Sequence, residues 1–422
     1  MKSLLFCLLF ISIISCKSKP VVAESFVDSL IGNYTPSTAA ITNEKDLKFW
    51  ESRVDTMPEL VNLQKFASAL ATRFHIYGDI RDLKKADSIL TQISFQYKEP
   101  GQLLSLASYK MLQHQFMDAK TLIDSVIQMK AEKYATQMMS FDANFELGDI
   151  YHASMILRKS YAPKDFAYNF RLSKQDHYKG ELKEAISHML AAADLSGSSA
   201  YLRSAALSNA ADLYVHDGAL AEAAKLYEEC IRFNSTDFHS ITGLGWIALV
   251  HDNNEPLARK IFSFVRTKSK SPDPLLKLSQ SFEGSDSGAA KRYAREFVQE
   301  ATKPIYGNMY NKYLVQLYTG VLNDPASALS IAQKEIGSRA TPQTYAWLTW
   351  CLYKNGKNRE ASQVYKNHVS GKALEALELF WMGKMMKGLG KGYNAQQFFK
   401  AAKKNEFDLG VRDRRELDGL LE

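Results

Sequence analysis

Four groups of residues in this sequence are of the kinds that do chemistry. His177, His216 and His251 recur at nearly the same register, 39 and then 35 residues apart, and would suit a metal if their side chains met. The helices carrying them would pack about 8–10 Å apart, too far for one ion with bonds near ~2 Å. The three therefore read as polar residues at helix ends, complementing the dipole. Residues 284–288 place Asp286 where a nucleophile elbow needs serine. Gly388, Gly390, Lys391 and Gly392 form a glycine and lysine cluster that misses both phosphate-loop spacings. No His-Glu-x-x-His occurs, so the sequence predicts no catalytic residue, no metal site and no cofactor. The fourth group is one thiol, Cys16, which ends an apolar run over residues 4–14 behind a single cation, Lys2.

The elements that would position these groups repeat. Ala86, Ala119, Ala153, Ala185, Ala223, Ala258, Ala290, Ala328, Ala361 and Ala395 follow one another at gaps of 32 to 38 residues. Four residues after each stands an apolar or aromatic side chain: Leu90, Ile123, Leu157, Met189, Tyr227, Phe262, Ala294, Ala332, Tyr365 and Phe399. One helical turn puts each pair on the same face, which must be buried. Five residues before the marker come Gly148, Gly180, Gly218, Gly356 and Gly390, with Asn253 in the same slot of another unit. Glycine and asparagine tolerate the left-handed conformation that ends a helix, so each unit reads as a helix, a turn and a second helix.

This pattern resembles the tetratricopeptide repeat, a helix–turn–helix of about 34 residues. The best matches are residues 207–232, with Ala211, Tyr214, Gly218, Ala223 and Tyr227, and residues 379–402, with Gly383, Gly390, Ala395, Phe399 and Ala402. The resemblance implies an all-α fold, a right-handed superhelical α-solenoid of about ten hairpins spanning residues 57–405. It is loosest over residues 269–288 and around residues 323–325. Residues 16–56 read as a tether and lead-in helix beginning at Asn43, with Phe49 and Trp50 as a lid on the first repeat. Residues 406–422 are a charged cap or tail.

Composition agrees with helices. The chain of 422 residues is 46% hydrophobic and 23% charged with only 11 prolines, and the repeat replaces the two or three domains its length would otherwise imply. A net charge of +7 is too modest to make nucleic acid the expected partner, although residues 354–404 hold eleven basic against three acidic side chains. Cys7 lies in the leader, and Cys230 and Cys351 are more than three repeats apart, beyond the roughly 7 Å Cα limit of a disulfide. Both read as small buried side chains.

The leader, with Ile13, Ile14, Ser15 and Cys16, resembles the lipobox of bacterial lipoproteins. That resemblance implies a signal peptide over residues 1–15 and a mature chain that starts at Cys16, lipidated on sulfur and amine. Each buried methylene contributes about 0.8 kcal/mol, so several acyl chains anchor a soluble body permanently. Lys17, Ser18, Lys19 and Pro20 place no aspartate beside the cysteine. By likeness to lipoprotein sorting patterns, the expected address is the outer membrane of a Gram-negative cell, facing the periplasm.

In the tetratricopeptide family, side chains of each first helix line a concave groove. Projected onto this chain, Trp350, Tyr353, Phe380, Lys384 and Lys387 would lie side by side there. An aromatic and lysine groove suits a peptide or protein of acidic character. The expected function is a non-catalytic, lipid-anchored scaffold that binds another envelope protein. The alternative is capture of a glycan, as in outer-membrane lipoproteins that carry such repeats with long insertions, and no insertion of that size is visible here.

Overall fold

Small residues where helices cross, and positive-φ residues where they turn, set the architecture. The computed structural model describes residues 19–131, 133–390, 392 and 394–422. It is 78% helical with no strand among the described residues, an all-α solenoid. Ten antiparallel hairpins follow in order. Hairpins 1 to 5 are α3 (Leu60–Tyr77) with α4 (Ile80–Tyr97), α5 (Pro100–Leu112) with α6 (Phe116–Gln128), α7 (Tyr134–Glu146) with α8 (Ile150–Lys159), α9 (Phe166–Lys179) with α10 (Leu182–Asp194), and α11 (Ala200–Asp217) with α12 (Leu220–Phe233). Hairpins 6 to 10 are α13 (Phe238–Val250) with α14 (Glu255–Lys268), α15 (Asp273–Phe282) with α16 (Ser287–Ala301), α17 (Asn311–Thr319) with α18 (Pro325–Ser338), α19 (Pro342–Lys354) with α20 (Asn358–Val364), and α21 (Ala376–Leu389) with α22 (Ala395–Lys404). Two helices precede them, α1 (Glu24–Gly32) and α2 (Thr38–Thr56), and α23 (Val411–Leu421) follows.

Nine of the ten marker alanines are completely buried, because each sits where its helix meets the next. Ala395 is the exception: it opens α22 and stays half-exposed, while Phe399 one turn later is fully buried. The crossings leave no room for a side chain. A Cβ on Gly383 would lie 2.5 Å from the Phe399 ring, and one on Gly243 would lie 2.4 Å from Tyr227. At the turns, Gly218 has φ +78 and Asn253 φ +53, the left-handed region that stops the first helix.

The lead-in differs from expectation at its start. α2 begins at Thr38, capped by the Ser37 hydroxyl, which accepts from the Ala40 N–H at 3.2 Å. Asn43 is instead buried within the helix, donating to the Ala69 carbonyl at 3.0 Å. Upstream, the backbone N–H groups of Val21 and Val22 both donate to the Asp252 carboxylate, at 2.8 and 2.9 Å.

The solenoid coils back over itself, with hairpins 1 to 5 as a first superhelical turn and hairpins 6 to 10 as a second. The turns of the first five hairpins rest on the inter-hairpin loops of the last five. The Ser269 hydroxyl reaches the Tyr77 carbonyl and His216 reaches Asp408, each across a separation of 192 residues. Gly148 abuts Thr341 in the same manner, and Glu146 pairs with Arg339 at 3.5 Å. Ile80 and Leu83 of α4 join Leu276, Phe297 and Tyr306 in one apolar cluster that spans both turns.

Candidate partner-binding surfaces

The groove read from the sequence is filled by the chain itself. Trp350 and Phe380 are buried, at 4% and 1% exposure, and share a cluster with Leu409 and with Leu417 of α23. The Trp350 indole donates to the Thr319 hydroxyl at 3.1 Å, and its ring lies nearly parallel to Trp381 at 5.9 Å. Tyr353 is half-buried against Trp350 and packs so closely on Gly388 that no Cβ would fit there. Lys384 pairs with Glu416 of α23 at 2.5 Å, whereas Lys387 is exposed. Four of the five residues are thus brought together, but as packing beneath the C-terminal helix. This corrects the expectation of an open peptide groove, and with it a tryptophan platform for sugar. The sequence signal was ambiguous because the leucines of residues 409–421 have the spacing of either a free tail or a self-ligand. Cys16, the expected lipidation site, lies outside the described residues.

α23 crosses the first helices of several hairpins. Arg414 donates to the Val250 carbonyl at the end of α13, and Arg412 pairs with Glu283 after α15 at 3.4 Å. The segment before it is pinned as well: the Trp246 indole donates to the Phe407 carbonyl at 2.8 Å, and Asn405 donates to the His216 carbonyl at 2.7 Å.

Between the two superhelical turns lies a cavity of about 490 Å³ walled by charged side chains. Its charges pair with one another. Glu146 takes Lys174 at 3.0 Å as well as Arg339, and Lys312 takes Glu375 at 2.5 Å and Glu378 at 3.7 Å. Glu378 is fully buried and accepts from the Trp347 indole at 2.7 Å. Burial pushes its carboxyl above the usual range and Glu375 adds to this, while Lys312 opposes them. Lys312 holds the Glu375 carboxyl well below its ordinary value. The sequence reading missed this network, although Asp142 and Glu146 precede Arg171 and Lys174 by 29 and 28 residues on successive first helices, a visible charge ladder.

Two of the three recurring histidines meet. The His177 and His216 rings stack at 4.9 Å, closer than the helix spacing allowed, because side chains on the inner face converge towards the superhelix axis. His216 Nδ1 lies 2.6 Å from Asp408. His251 turns away to Asp252 at 2.7 Å. Among the described residues, no group of three or more His, Cys, Asp or Glu side chains has the geometry to hold a metal ion. Burial and the neighbouring His216 lower the His177 pKa. Burial works against the charged form of His216, but Asp408 overrides it and raises the value.

No family model matches this chain, and no curated protein sequence matches it. Solved structures do. The human IFIT1 dimer with PPP-AAAA is 14% identical with a TM-score of 0.46, over 92% of this chain and 96% of that one. The APC/C hetero-tetramer Cut9–Hcn1 is 12% identical with a TM-score of 0.49, over 94% and 69%. PilF of Pseudomonas aeruginosa is 13% identical with a TM-score of 0.37, over 50% and 97%. All three scores lie below 0.5, and the repeated helix–turn–helix architecture rests on the ten hairpins themselves.

Proposed function

We propose that this chain is a lipid-anchored scaffold of the bacterial cell envelope that binds another protein and performs no chemistry of its own. The observation that carries this reading is the mutual pairing of the inward-facing charges. Glu146 with Lys174 and Lys312 with Glu375 pair within a turn, while Glu146 with Arg339 and His216 with Asp408 pair across the two turns, which makes these groups struts of a rigid body. A catalytic site keeps such groups within reach of a substrate instead.

The anchor follows from the likeness of residues 13–16 to a lipobox. It gains a mechanical meaning from Asp252, which fixes Val21 and Val22 only a few residues later. Five residues of chain span at most about 17 Å. A lipidated Cys16 would therefore hold the sixth hairpin close against the bilayer, and by its sorting residues that bilayer is the outer membrane, on its periplasmic face. Metabolic labelling with palmitate tests this. Label on the wild type, absent from Cys16→Ser together with release from the membrane fraction, is the expected result. An unlabelled, soluble wild type would overturn the anchor. For the scaffold reading, activity in a hydrolase panel that co-purifies with the chain through successive columns would overturn it.

A further inference from the structure

We propose that the uncovered edge formed by the loops after hairpins 1, 2 and 3 docks an acidic protein partner. This rests on the scaffold reading and names its contact face. In the second superhelical turn, the inter-hairpin edge is roofed by the turns of hairpins 1 to 5, and its large side chains are buried accordingly, as with Tyr306 and Tyr310 against Ile80 and Leu83. The first turn has no such roof. Its edge displays Phe95 at 85% exposure, Tyr161 at 72%, Tyr97 at 50%, Met129 at 43% and Tyr134 at 37%. Among the described residues, every exposed large hydrophobic side chain lies before residue 234, and none lies in the second turn. Large apolar side chains left exposed along one edge, where the equivalent edge of the other turn is covered, mark an interaction site.

Charge selects the occupant. Lys98, Lys130, Lys133 and Lys164 stand exposed in the same three loops, with Arg158 and Lys159 exposed in the last turn of α8, and among the described residues none of them takes part in an ion pair. The acids nearby are fewer. Asp165 already caps α9, accepting from the Tyr168 N–H at 2.9 Å and from the Tyr134 hydroxyl, and Glu99 stands at the N-cap of α5. The sequence adds Glu132, outside the described residues. Aromatic and methionine anchors ringed by unpaired cations complement a surface with apolar knobs and carboxylates. A second copy fits poorly, since edge on edge would set these cations against one another.

The test uses a photo-crosslinking amino acid at Phe95 in the full chain, with the same label at Lys366 on the second turn as control. In parallel, a synthetic amphipathic peptide of alternating glutamate and leucine, and its lysine counterpart, are titrated by fluorescence anisotropy. The expected result is a discrete protein cross-link from Phe95 and saturable binding of the acidic peptide alone. Lys130→Glu, Lys133→Glu and Lys164→Glu together should weaken that binding at least tenfold with thermal unfolding unchanged, as should Phe95→Ser with Tyr161→Ser. Equal binding of both peptides, or no effect of either variant, overturns the proposal. So does flotation of the Cys16→Ser chain with phosphatidylglycerol vesicles that these variants abolish, which assigns the edge to a bilayer. So does a sedimenting dimer that they dissociate, which assigns it to a second copy. A cross-link from Lys366 but not Phe95 overturns this edge while leaving the scaffold reading intact.

Discussion

At the scale of single residues, the stacked histidines make the junction between the two turns sensitive to pH. His216 is raised above its ordinary 6.5, so its contribution with Asp408 is complete below 6.5 and is lost as pH rises through the higher value. His177 is lowered, so its contribution is present above 6.5 and is lost as pH falls through the lower value. Lys312 and Glu375 face the same pair and hold opposite charges. Thermal stability measured from about pH 5 to 8 should therefore pass through a maximum near the ordinary histidine value. His216→Gln should reduce the decline on the alkaline side, which His239 shares, and His177→Gln the decline on the acid side, which His75 and His114 share. A profile that neither variant changes would show the stack to be inert.

At the scale of the elements, packing at crossings decides stability. Gly383→Ala would drive a methyl into the Phe399 ring, and overpacking of this kind costs about 1–3 kcal/mol, readable as a lower urea midpoint. Leu417→Ala, at a fully buried position in α23, should cost about 2–5 kcal/mol. Because Trp350 and Trp381 lie in the same cluster, that variant should also shift tryptophan emission to longer wavelength; unchanged emission would mean that α23 is not their cover. The hairpins themselves were legible because the alanine, the apolar residue four on and the turn glycine are local requirements of one helical pair, as Ala223, Tyr227 and Gly218 illustrate. What α23 covers was not legible. Trp350 and Lys384 have the same periodicity whether they face solvent or Glu416, and only the path of the chain after residue 405 distinguishes the two. Asn43 misled for a related reason: its side chain is an equally good helix cap and buried donor, and the Ala69 carbonyl that decides between them is 26 residues away.

At the scale of the whole molecule, contacts between turns change how the stack should unfold. Hairpins that touch only their neighbours behave as a one-dimensional series and lose structure piecemeal. Here Glu146 with Arg339, His216 with Asp408, and the shared cluster of Ile80 with Phe297 tie the first half of the chain to the second. Equilibrium unfolding should therefore be a single transition by circular dichroism. Glu146→Lys, which turns two attractive pairs repulsive, should separate the halves and raise hydrogen exchange in α7 and α9 before the rest. Unfolding of the wild type in several resolved steps would contradict the coupling.

The nearly constant separation across the two turns, 192 residues for His216 with Asp408 and 193 for Glu146 with Arg339, has an evolutionary corollary. Repeat proteins commonly grow or shrink by duplicating or deleting a unit, and a simple stack tolerates either. In this molecule an extra unit in the first half would slide one charge scale along the other like a mis-set vernier, leaving Glu146 and His216 opposite strangers. Unit number is consequently a constrained quantity here, and homologous chains should vary in loop length and sequence elsewhere while keeping the count.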